Sequence, residues 1–75
     1  MKNHVKFDYS KLLGKIKEKG FTQEEFAKCI GMAPSTFTLR LSCGGYFRQP
    51  EIVESCDVLE IAYKDIPVYF FTSKV

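Results

Sequence analysis

An all-α bundle of four to five short helices, folded as one domain over residues 1–75, is the fold class this sequence predicts. Three observations carry that reading. Apolar residues recur at helical spacing in successive stretches between Leu12 and Leu59. Helix-start and helix-stop residues bracket those stretches, with Gly20 and Gly31 at breaks and Pro34 at a restart. The chain is short, so its core is modest and an elaborate enzyme cleft is not expected.

Each element has its own signal. Asp8 can cap a first helix over 9–19, with Leu12, Leu13 and Ile16 inward and Gly20 as its stop. A second helix over 22–30 opens on the capping box Thr22 and Glu25, in which each side chain satisfies an orphan amide of the other residue. Phe21 before that cap and Phe26 inside it can form a hydrophobic staple, and Phe26, Ala27 and Ile30 define a buried face. Gly31 ends the run, because glycine adopts the left-handed conformation at little steric cost. Pro34 starts a third helix over 34–42 where its missing amide is harmless, and Phe37 with Leu41 gives an i, i+4 apolar contact. Ser35, Thr38 and Leu39 are left outward. Ser42, Cys43, Gly44, Gly45 and Tyr46 read as a loop. A fourth helix runs from Gln49 or Pro50 to Leu59 with Ile52, Val53, Cys56 and Leu59 on its apolar side and Glu51 near its positive end; its cap is poor if Arg48 takes that position. Beyond a core at about 8–61, the segment 62–75 is too rich in large apolar groups for a free tail. A short fifth helix over about 62–71 is the first choice. A strand over 68–72 competes, since Pro67 precedes a β-favouring run.

Composition narrows the function classes. The net charge is only +2, yet it is split: residues 1–48 hold nine Lys and Arg against four Asp and Glu, and residues 49–75 hold two against five. A phosphate-binding surface would lie on the basic half, and the acidic half would be free for a partner. Three cysteines cannot all pair, and none forms a C-x-x-C motif, so no disulfide or zinc framework is expected. Cys29 and Cys56 fall at or near apolar helix positions; Cys43 is the thiol expected at the surface. No apolar run is long enough to cross a membrane, and the N-terminal residues lack the apolar core of a secretory signal, so a cytoplasmic protein is expected. No Ser-His-Asp, Cys-His or H-x-x-x-H grouping is present, so no enzyme, metal or cofactor is expected.

The second and third helices with their glycine break have the layout of a helix-turn-helix, whose second helix enters the DNA major groove. Gly20-Phe21-Thr22-Gln23-Glu24-Glu25-Phe26-Ala27, Ile30-Gly31-Met32, Ser35-Thr36-Phe37 and the Leu59 and Ile61 ending resemble the phage repressor and Cro-type family of the xenobiotic-response-element superfamily, over about residues 12–61. Small phage and prophage regulators are the members it resembles most. The resemblance implies a lambda repressor-like DNA-binding domain. It places Gln23, with Thr22 beside it, at the DNA backbone and sets Pro34, Ser35, Thr36, Thr38 and Leu39 toward base edges or phosphates. Lys17 late in the first helix, and Tyr46 and Arg48 before the fourth, become backbone contacts. The departures are specific. Proline stands where a base-reading polar side chain is common, Ala33 replaces a capping serine, and Arg40 occupies a usually aliphatic site, from which it could turn outward as the helix's only cation. Without Arg, Asn or Gln at its front, the helix has no bidentate reader of guanine or adenine.

Two functions of different class follow. The leading expectation is a sequence-specific transcriptional regulator that binds double-stranded operator DNA as a homodimer, since one helix-turn-helix covers few base pairs. Tyr69, Phe70 and Phe71 are its expected dimerisation surface, because three adjacent rings cannot all face inward. The alternative is a helix-turn-helix-derived interaction module, an anti-repressor or repressor modulator that lacks strong DNA binding and takes a phage or host regulatory protein as partner.

Overall fold

Local chemistry sets each boundary in the computed structural model, which describes residues 7–42 and 46–72. Helix α1 spans Ser10–Glu18, and the Asp8 carboxylate accepts the Ser10 N–H at 2.9 Å just before it. It stops at Gly20, whose φ of +90° suits a residue without Cβ. Helix α2, Gln23–Cys29, begins on the capping box: the Glu25 N–H donates to the Thr22 hydroxyl at 3.0 Å and the Thr22 N–H to the Glu25 carboxylate at 2.9 Å. The Phe21 and Phe26 rings meet edge to face at 6.1 Å, which is the expected staple. Gly31, at φ +74°, turns the chain into α3, Pro34–Leu41. Pro34 stands in the first turn of α3, and Ala33 offers that helix no side-chain cap.

Helix α4 spans Gln49–Leu59 behind Arg48. Arginine has no acceptor for a helix amide, and Glu51 supplies the other half of a cap by accepting the Arg48 N–H at 2.8 Å. Glu60 closes α4 in the left-handed conformation, φ 59°. A 3₁₀ turn at Tyr63–Asp65 leads into α5, Ile66–Phe70, so the C-terminal segment is helical and the strand alternative is set aside. Pro67 explains the outcome: it falls in the first turn of α5, where its missing amide leaves nothing unsatisfied. Among the described residues there is no strand; Phe7 lies in an isolated bridge, and the Asp8 N–H reaches the Thr72 carbonyl at 2.7 Å.

The helices enclose a core of Leu12, Ile16, Phe26, Ala27, Phe37, Cys56, Leu59 and Phe70. Phe47 links its parts, with ring centroids 5.3 Å from Tyr9, 5.8 Å from Phe37 and 5.4 Å from Phe70. Two expectations are corrected. Cys29 is exposed, because it falls outside the arc of α2 that Phe26, Ala27 and Ile30 bury. Phe70, expected at a dimer surface, is only 1% exposed, because α5 packs on α1 and α4 and turns this ring inward.

Candidate functional site

The outward side of α3 is the surface the sequence nominates. Ser35, Thr38 and Leu39 are exposed there, Leu39 by 65%, while Pro34 and Thr36 are partly covered. The Thr38 hydroxyl donates to the Pro34 carbonyl at 3.1 Å, so its proton is committed to its own helix. Arg40 does not turn outward. Its Nε donates to Glu51 Oε1 and its terminal NH₂ to Glu51 Oε2, each at 3.0 Å, a bidentate pair that ties α3 to α4. The Arg40 hydrogen bonds, ahead of the Arg48 amide, hold the Glu51 carboxyl below the usual carboxylate range. Glu51 in turn raises the guanidinium of Arg40, which is charged at any working pH. The only cation of α3 is therefore neutralised, and the face is left polar without charge.

The remaining nominated residues fall into separate places. Lys17, Thr22 and Gln23 come together around a groove of about 350 Å³ floored by Leu13, Ile16 and Phe21, and the Thr22 hydroxyl there already accepts the Glu25 N–H of the cap. Tyr46 and Arg48 are exposed on the approach to α4, with the Tyr46 ring 6.1 Å from Phe7. Cys43, Gly44 and Gly45 lie outside the described residues. Of the three C-terminal rings, Phe70 is core, Tyr69 is half-buried and Phe71 is 50% exposed.

A second concavity is absent from the sequence reading. Ile52 and Val53 of α4, Tyr63 of the 3₁₀ turn, and Ile66 and Phe71 around α5 wall an apolar groove of about 530 Å³ over Phe47. Its signal is divided between residues up to twenty-four positions apart in the chain, beyond the reach of a helical period. Among the described residues no group of three or more His, Cys, Asp or Glu could hold a metal ion, and no helix is long and apolar enough to cross a membrane.

Fold and site together define a small protein, all-helical among the described residues, with a helix-turn-helix arrangement in which the one cation of α3 is paired. Residues 5–73 match the model of a family described as protein of unknown function (DUF739), and the chain belongs to that family. No curated protein matches it. The solution structure of the modulator of repression (MOR) of the temperate bacteriophage TP901-1 from Lactococcus lactis matches with a TM-score of 0.76 and 45% sequence identity, over 92% of this chain and 93% of that one. These findings correct two expectations. The family is not the phage repressor and Cro-type family, and the similar structure is a modulator of repression, not a repressor. The operator-binding regulator therefore gives way to the alternative reading.

Proposed function

We propose that this protein modulates a phage repressor through protein–protein contact, with the helix-turn-helix serving as a scaffold that has no strong DNA binding of its own. The observation that carries the reading is the Arg40–Glu51 pair. Phosphate contacts by Lys and Arg supply most of the affinity of a DNA-binding helix, and here the one cation of α3 is bound to a carboxylate at 3.0 Å on both arms. What α3 shows instead is Ser35, a back-bonded Thr38 and the apolar Leu39. The likeness to a modulator of repression supports the same conclusion and suggests the class of partner, a regulatory protein of the phage. On this reading the protein acts in the cytoplasm, where such a repressor works.

The test is calorimetric titration of the full chain into the repressor encoded in its own regulatory region, beside a matched titration into duplex DNA from that region. A saturable complex with the repressor and only weak, unselective binding to DNA is expected. Absence of any complex with the repressor would overturn the proposal.

A further inference from the structure

The groove walled by Ile52, Val53, Tyr63, Ile66 and Phe71 has the makings of a docking site. Tyr63 and Phe71 stand 59% and 50% exposed beside it. Large rings at the lip of a concave apolar surface are where binding energy concentrates in protein interfaces. A space of about 530 Å³ accepts a few side chains from one face of a helix, not a whole domain. By contrast α3 exposes one large apolar residue, Leu39.

Charge selects the occupant. Among the acidic residues of 49–75, Glu51 is committed to Arg40 and Glu60 pairs with Lys19 at 2.8 Å. Glu54, Asp57 and Asp65 have no ion pair among the described residues, against Lys64 in that stretch and the exposed Arg48 just before it. Asp57 follows Val53 by about one turn of α4 and so shares its side of the helix. Asp65 lies between Tyr63 and Ile66 in the chain. A second copy docked here would set this acidic surface against itself, which opposes association. A helix that presents an apolar stripe flanked by Lys or Arg satisfies groove and rim together.

We propose that this groove docks a basic amphipathic helix of the regulatory protein on which the chain acts. The inference rests on the modulator reading and adds to it the surface and the chemistry of the partner. Binding of full-length variants to the repressor encoded in the same regulatory region tests it, with circular dichroism to verify folding. Val53→Lys and Phe71→Ser each weaken the complex roughly tenfold or more, a loss expected of residues at an interface centre. Asp57→Lys weakens it as well and flattens its salt dependence, whereas Leu39→Ser stays within about twofold of the parent chain. Should Phe71→Ser fail to fold, Val53→Lys carries the test, with amide shifts at Ile52, Tyr63 and Ile66 of the unmodified chain on titration. Groove variants that bind the repressor like the parent overturn the docking site and leave the modulator reading standing. Self-association that Phe71→Ser abolishes makes a second copy the occupant and also overturns it. A parent chain that forms no complex removes the modulator reading, and this partner with it.

Discussion

Residues 10–41 and residues 46–72 are both helical and both feed one aromatic core, yet they treat their surface charge in opposite ways. The first region holds most of the lysines, among them exposed Lys11, Lys17 and Lys28, on a helix-turn-helix whose third helix has its one cation paired. The second commits one carboxylate, Glu51, to the cation of that helix, leaves Glu54, Asp57 and Asp65 without an ion pair among the described residues, and carries an apolar groove. On the proposed reading, a motif's backbone and a motif's activity are separable. The capping box, glycine turn and proline start produce the helix pair; a single ion pair from the following helix decides whether its outer face carries charge.

The largest expected effect probes the shared core. Phe70→Ala should cost about 3 to 5 kcal/mol in denaturant unfolding, because a fully buried ring is lost and a cavity left. Phe71→Ala, one residue on and half-exposed, should cost less than about 1 kcal/mol. Equal costs would erase the distinction between core ring and groove ring on which the comparison of the two regions depends.

Next in size is Glu51→Gln, which cuts the tie between the regions. Loss of a partly exposed charged pair should destabilise the fold by about 1 kcal/mol. It should also release Arg40, so that unselective DNA affinity rises and its dependence on log salt steepens by about one unit. The same pair has a pH signature. Because the folded-state pKa of Glu51 is depressed, its stabilisation is present above pH 4.5, the usual glutamate value, and lost as pH falls through the lower folded value. Acid titration of stability should therefore be steeper for the parent chain than for Glu51→Gln; identical curves would mean that the pair contributes nothing.

An effect on stability of similar size, with none on binding, concerns a residue that the motif alone would assign to DNA. Thr22→Ala should lower stability by about 1 kcal/mol through loss of the bond from the Glu25 amide, with repressor binding unchanged. A binding defect without loss of stability would return Thr22 to the functional surface.

The helices were legible because their causes are local. Thr22 with Glu25, Gly31 and Pro34 act over three or four residues, and the helices they bound start and stop within a residue of the expected positions. Phe47 was not legible: it belongs to no helical period, and its centrality depends on Tyr9, Phe37 and Phe70 converging from three other segments. Arg40 was misjudged for a related reason. Eleven residues separate it from Glu51, and nothing short of the packing of α3 against α4 shows that the two side chains meet. Exposure of one C-terminal ring followed from the adjacency of Tyr69, Phe70 and Phe71, while the choice of Phe71 required knowing that α5 packs through Phe70.

The central claim, that this helix-turn-helix protein works through a repressor and not through DNA, is tested most directly on repressor-bound operator DNA in a mobility-shift assay. Added alone, the protein should leave the operator unshifted; added to the repressor, it should change the amount or mobility of the repressor–operator complex at the same concentration. A sequence-selective, salt-sensitive shift by the protein alone, with repressor occupancy unaltered, would contradict the account.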